Sequence, residues 1–509
     1  MPRYFKYFFA TSFAIFSFII AFAEIKLPAI IADNMVLQQN TTIKLWGWAN
    51  AGEKITVTAS WSKIPVSVSA DDNGKWILSM KTSKAGGPYT ILFAASNSIT
   101  VNNVLLGEVW LASGQSNMEF FMTKMGGGYT GVLNYEEEIK AANYPLIRMI
   151  DIPNKVADDP QTGFIGKWKI CCPQTADTFS AVAYYFAKEI HTATGYPIGI
   201  INATWGGTPA ESWTRKEILE GDSSLNIILE RYKKQSDEYP AAFEKYKAAL
   251  DKWKADTSIT KGAAPREPIG PHHNNSPYKL YNGMIAPVLS YTIKGVIWYQ
   301  GEGNAGRAAQ YRRLFPAMIN NWRDDFNNKK MPFYFVQISP HQSQNPEIRD
   351  AQLYTLQTVP YTGMVVTTDN GDSLNIHPRN KKLVGERLSL WALKNEYGKK
   401  DIVVSGPLYK SMKATGNKIA LRFDYADGLQ AKDGDLKEFT IAGADENFVP
   451  AKATIEGNTI IVWSDTVAKP VAVRFAWRNV PHPNLYNKSD LPASPFRTDN
   501  WKLITEGKN

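Results

Sequence analysis

Ser116 stands in Gly114-Gln115-Ser116-Asn117-Met118, just after the apolar run Val109-Trp110-Leu111-Ala112. A serine acts as a nucleophile when it sits on a tight strand-to-helix turn, where its hydroxyl is open and nearby backbone N–H groups can face an oxyanion. Gly114 permits such a turn. Met118 stands where a Gly-x-Ser-x-Gly elbow has its second glycine, so the turn is of another kind. Taken alone, the serine could equally cap the next helix. Three further segments make the pattern chemical. Trp205-Gly206-Gly207-Thr208-Pro209 has two glycines whose amides can approach a ligand closely. Trp298-Tyr299-Gln300-Gly301-Glu302-Gly303-Asn304 supplies side-chain amides from Gln300 and Asn304. Asp372-Ser373-Leu374-Asn375-Ile376-His377-Pro378 carries the one histidine, of six, expected on a strand-end loop with an acid nearby. A serine, a histidine and amide donors on four loops form a constellation for acyl transfer.

Such a constellation needs a scaffold that gathers chain-distant loops at one edge. Buried-type strands are expected at residues 106–112, 197–202, 294–299, 332–337 and 364–368, with amphipathic helices at 180–191, 308–326, 349–358 and 380–397. That alternation predicts an α/β fold, a parallel sheet with helices on both faces. Ligands of such sheets bind at the loops after the strand C-termini. Residues 24–103 alternate with period two between turns such as Asp72-Asn73-Gly74, which predicts an N-terminal β-sandwich domain. The hydrolytic α/β domain is expected over 104–400, with a lysine- and glutamate-rich helical insertion at about 225–260. The alternating β pattern returns over 401–509 and predicts a C-terminal β domain.

Residues 1–7 carry Arg3 and Lys6, residues 8–22 are uncharged and mostly apolar, and Ala21-Phe22-Ala23 has the small-x-small form that signal peptidase needs. A signal peptide over 1–23, cut after Ala23, and a secreted or periplasmic protein are therefore expected. Cleavage removes two positive charges from a formal balance of +9. With 44% hydrophobic and 21% charged residues, the chain is neither disordered nor a membrane protein. No later run suits a spanning helix, so no membrane partner is expected after cleavage. Lys-Lys pairs at 233–234, 329–330, 381–382 and 399–400 are interspersed with acids and read as solvated surface, with no nucleic-acid stripe. The only cysteines, Cys171 and Cys172, are adjacent and cannot form a long-range staple. Stability must come from packing. The 15 Trp and 24 Tyr can fill a core or stack on sugar rings.

Gly114-Gln115-Ser116-Asn117-Met118, Trp205-Gly206-Gly207-Thr208, Trp298-Tyr299-Gln300-Gly301-Glu302-x-Asn304 and Ile376-His377-Pro378-x-Asn380-Lys381 resemble the sialate O-acetylesterase family within the SGNH hydrolases. The likeness runs from about residue 25 through the C-terminal β region. It implies a flavodoxin-like esterase domain flanked by β domains, acting on an acetylated carbohydrate and removing O-acetyl groups with no metal or cofactor. Carried over residue by residue, it makes Ser116 the nucleophile and His377 the general base. The N–H groups of Ser116 and of Gly206 or Gly207 would face the oxyanion, with Gln300 or Asn304 as third donor. Gln115, Asn117, Trp205 and Glu302 would line the substrate site. Many SGNH enzymes place an aspartate three residues before the histidine, where this chain has Leu374. The acid is then Asp372, with Asp369 behind it, or else a backbone carbonyl orients the ring. Two other readings remain open: an inactive glycan-binding protein, and an esterase for xylan, other polysaccharides or non-sugar acyl chains.

Overall fold

The structure, a computed structural model, describes residues 24–126, 129–258 and 260–508. The expected signal peptide, residues 1–23, lies outside them.

Six strands build the sheet that carries the site: β1 (Ser98–Gly114), β2 (Tyr144–Asp151), β3 (Ile198–Thr204), β4 (Gly295–Tyr299), β5 (Phe333–Val336) and β6 (Thr362–Val365). Their order is β2-β3-β1-β4-β5-β6, all neighbours parallel, and Lys169–Cys171 adds an antiparallel edge beside β2. The fold is α/β with a parallel sheet, as the alternation of strands and helices predicts. Strands buried on both faces are apolar throughout rather than alternating. In β4, Ile297 and Trp298 point into two different apolar clusters, and both are fully buried.

Helices cover the two faces. On one face, α1 (Ser116–Glu119) and α2 (Ala181–Thr194) accompany the C-terminal helix of the region. There Trp110 packs against Phe186 and Tyr334, at 5.0 and 5.8 Å between ring centroids. The insertion is one long helix, α3 (Ser223–Ala255), on which only Leu225 and Ile228 are buried. Its other residues are exposed or half-buried, as its charged composition requires. The other face carries α4 (Ala308–Asp325) and α5 (Pro346–Thr358). There Trp298 sits between Trp213 and Trp322 in edge-to-face contacts. These tryptophans therefore serve the core. Lys381–Asn395 forms α6, which packs on α2 against the first face.

The boundary expected between 103 and 104 falls inside a continuous strand. Residues 98–106 of β1 pair antiparallel with Gly86–Ala94, whereas residues 108–114 pair in parallel with β3. The N-terminal strands and the central sheet thus share one backbone. Near the C-terminus two antiparallel four-stranded sheets follow, one built on Leu408–Thr415 and Lys418–Asp424 and the other on Phe439–Ala442 and Ala472–Phe475. Phe423, Phe475 and Phe496 pack between them. Cys171 and Cys172 are free thiols, and burial pushes the Cys171 thiol up to about 12. Among the described residues, no helix is long and apolar enough to cross a membrane.

Candidate active site

β1 ends at Gly114, whose φ is +137° and where a Cβ would lie 2.3 Å from the Tyr299 carbonyl oxygen. Only glycine fits between these strands, and this close approach lets the chain turn at once into α1 with Ser116 as its first residue. Ser116 is 9% exposed, and its Oγ lies 2.8 Å from His377 Nε2. Residues 261 positions apart thus form the hydroxyl–imidazole pair that acyl transfer requires. The loop carrying His377 leads into α6, and Asn380 caps that helix by accepting from the Leu383 N–H at 3.2 Å.

Burial lowers the His377 pKa to about 4, with smaller contributions from the positive charges of Lys381 and His341. A neutral imidazole with a free lone pair is the form a general base needs. The Tyr129 ring stacks on His377 at 5.4 Å with 17° between planes, which excludes water from one face.

Asp372 does not reach the ring. Its Oδ1 accepts the N–H groups of Leu374 at 2.8 Å and Asn375 at 3.1 Å, and these bonds hold its carboxyl below the usual range. The side chain is exposed and shapes the loop as a turn cap. Asp369, the acid behind it, forms a two-pronged pair with Arg387, both contacts at 2.7 Å. Among the described residues, neither an acid nor a backbone carbonyl accepts a hydrogen bond from His377 Nδ1.

The expected oxyanion donors separate into two groups. As a first-turn residue Ser116 has no intrahelical acceptor for its N–H. Gly207 is exposed in a left-handed conformation, φ +76°, and a Cβ on it would touch nothing. The N–H groups of both donate to no other described residue. Gly206 N–H is already engaged, donating to Glu119 Oε2 at 2.8 Å. Gln300 and Asn304 face the interior. Gln300 Nε2 donates to Asn304 Oδ1 at 2.7 Å, and Asn304 Nδ2 donates to Glu211 Oε2 at 2.7 Å. Both amides brace the loop after β4 from beneath.

The residues expected to line the substrate site are largely structural as well. Gln115 Oε1 accepts the Gly303 N–H at 3.2 Å and ties that loop to the serine turn. Asn117 is 1% exposed. Its Nδ2 donates to Glu302 Oε1 at 2.7 Å and to the Ile376 carbonyl at 3.0 Å, while its Oδ1 accepts from Lys381 Nζ. Burial raises the Glu302 pKa and pushes the Lys381 pKa down to about 7. Trp205 is half-buried beside the glycines, its N–H donating to the Gly114 carbonyl at 3.1 Å.

Four residues near the pair carry no local signal in the sequence: Glu119, Tyr129, Asn274 and His341. Asn274 Nδ2 donates to the Gly206 carbonyl at 3.4 Å. His341 follows β5, so His377 is not the only histidine on a strand-end loop.

Comparison with known proteins places this geometry in a family. Residues 267–394 match the family model described as carbohydrate esterase, sialic acid-specific acetylesterase. The rat sialate O-acetylesterase is 29% identical over 92% of this chain and 94% of its own length. The human sialate O-acetylesterase is 28% identical over 92% of each chain. A solved carbohydrate acetylesterase from Xanthomonas citri is 35% identical and superposes with a TM-score of 0.80, covering 94% of this chain and all of that one. The chain belongs to the sialate O-acetylesterase family. As a member it is a carboxylic ester hydrolase, and the family supports an acetylated carbohydrate as its substrate. An inactive glycan-binding protein is accordingly set aside. The matched region of this sialate O-acetylesterase family member contains the β4 loop, His377 and most of α6, while Ser116 comes from outside it.

Proposed function

We propose that the protein is an exported carbohydrate esterase that removes O-acetyl groups from sugars, as a sialate 9-O-acetylesterase does, with Ser116 as nucleophile and His377 as general base. The observation that carries this reading is the 2.8 Å contact between Ser116 Oγ and His377 Nε2. In the tautomer protonated on Nδ1, Nε2 accepts the serine proton while Oγ attacks the acetyl carbonyl. The N–H groups of Ser116 and Gly207 are the donors available to the carbonyl oxygen as it becomes negative. Collapse of the tetrahedral intermediate breaks the ester C–O bond, and the imidazolium returns its proton to the departing sugar hydroxyl. Water then adds to the acetyl-Ser116 ester, His377 takes its proton, and acetate leaves as Oγ is reprotonated.

The test is acetate release from a panel of acetylated sialic acids, xylan and pectin, comparing wild type with Ser116→Ala. Wild type should release acetate, and a brief reaction with p-nitrophenyl acetate should leave an acetyl group on Ser116. Turnover retained by Ser116→Ala would overturn the nucleophile assignment. Export is tested by N-terminal sequencing of the mature protein, which should start at Glu24.

A further inference from the structure

Ser116 opens α1 and Glu119 closes it, and Glu119 is the residue the constellation leaves unexplained. Its Oε2 accepts two hydrogen bonds, from the Tyr129 hydroxyl at 2.7 Å and from the Gly206 N–H at 2.8 Å. Tyr129 is the ring that lies flat against His377. Gly206 adjoins the serine, since a Cβ built on it would lie 3.4 Å from Ser116 Cβ, 2.9 Å from the Tyr129 hydroxyl and 3.0 Å from Glu119 Oε2. One oxygen therefore joins the aromatic wall behind the base to the turn that presents Gly207. Among the described residues Glu119 has no cationic partner, and burial raises its pKa. A half-buried carboxylate held only by two donors is costly to keep for packing alone.

We propose that Glu119 is a positioning residue that fixes Tyr129 against His377 and the Gly206-Gly207 turn against Ser116, setting the geometry on both sides of the nucleophile with a single carboxylate. This rests on Ser116 and His377 being the reacting pair. Glu119 touches neither of them through a hydrogen bond and acts through Tyr129 and Gly206. The groups that face His377 are Ser116, Tyr129, Phe120, Lys381 and His341. Substitution of Glu119 leaves both neighbours, Lys381 and His341, in place. A change in the titration of His377 then reports loosening of the Tyr129 wall, which admits water and lets the imidazole pKa rise toward its ordinary value.

The experiment compares wild type, Ser116→Ala, Glu119→Ala and Glu119→Gln on p-nitrophenyl acetate across pH. Glu119→Ala should lower kcat about 10²-fold while KM changes far less, as expected for a misplaced reacting group. The acid limb of its kcat/KM profile should move to higher pH. Glu119→Gln should recover most of kcat and the wild-type limb, because its amide oxygen, placed where Oε2 lies, can accept from both Gly206 and Tyr129. An unchanged kcat and acid limb in Glu119→Ala, with Ser116→Ala inactive, would overturn the positioning role alone. An active Ser116→Ala would instead overturn the reading of the site. Should Glu119→Ala fail to fold, Glu119→Gln with Tyr129→Phe removes the Tyr129 bond only. That double variant should shift the acid limb upward relative to Glu119→Gln, and an unshifted limb would refute the proposal.

Discussion

Asn117 Nδ2 donates to the Ile376 carbonyl at 3.0 Å, so the residue after Ser116 holds the residue before His377. The same amide binds Glu302, and its oxygen receives Lys381. A buried side chain that satisfies three partners cannot be removed without stranding them. Asn117→Ala should lower stability by about 1–3 kcal/mol, the cost of unsatisfied buried polar groups, measured by denaturant unfolding. It should also lower kcat by loosening the His377 loop, and an unchanged kcat would show that the loop is held elsewhere.

Asp372→Asn should retain activity within about tenfold, because Asp372 caps a turn and an asparagine oxygen can accept the same two N–H groups. An acid that orients a catalytic histidine loses about 10⁴-fold on conversion to the amide, in the serine-protease template. Steady-state kinetics on p-nitrophenyl acetate separates these outcomes without ambiguity.

Burial pushes His377 down to about 4, so its imidazole is neutral throughout the mildly acidic range and, with His377 as the proposed base, kcat/KM should decline only as pH falls through about 4. An unperturbed imidazole would lose half its activity near pH 6.5. Lys381, which titrates near 7, is charged wherever His377 titrates and so repels the proton there. Lys381→Met removes that charge and should move the acid limb upward. The depressed imidazole also affects folding: between about pH 4 and 6.5 the unfolded chain binds a proton that the folded chain does not. Its contribution to stability therefore falls as pH drops through that window.

Gly206→Ala places a methyl group about as close to the Tyr129 hydroxyl and to Glu119 as two atoms can be forced, at 2.9 and 3.0 Å. The carboxylate and the ring must give way, and the serine loses its fitted neighbour. We expect kcat to fall by about 10²-fold with little change in melting temperature, since the strain lies in the half-buried site rather than in the core. Gly207→Ala meets no atom but must hold a positive φ, so it should lower stability as well.

The sequence made the candidate edge legible because its residue types are tied to strand ends. Ser116, Gly206, Gly207 and His377 each follow an apolar strand, and a short apolar run bounded by turn residues is legible without knowing its partners. The roles of Gln300, Asn304, Asn117 and Glu302 were not legible. An amide near a site looks the same in sequence whether it faces substrate or braces a loop, and only three-dimensional partners such as Glu211 and Lys381 separate the two. Tyr129 and Glu119 escaped for a related reason, since what they do is visible only through contacts with each other, ten positions apart, and with Gly206 and His377 much further along the chain. The period-two pattern revealed the strands before residue 103, but not that β1 continues through it, because apolar strand simply runs into apolar strand at Val104-Leu105-Leu106.

That unbroken strand has a consequence for modularity. β1 is hydrogen-bonded along its first half to the N-terminal strands and along its second half to the central sheet, and the turn carrying Ser116 hangs from its far end. The amino-terminal region is therefore no detachable appendage, as a tethered binding module would be. A fragment starting at residue 104 would begin halfway along a beam, with its anchoring half cut away and the edge of Leu105 and Leu106 stripped of Val36 and Leu37. Gene fusions or domain exchanges that place a junction there would unseat the serine from below, although the cut lies ten residues before the Gly114 turn.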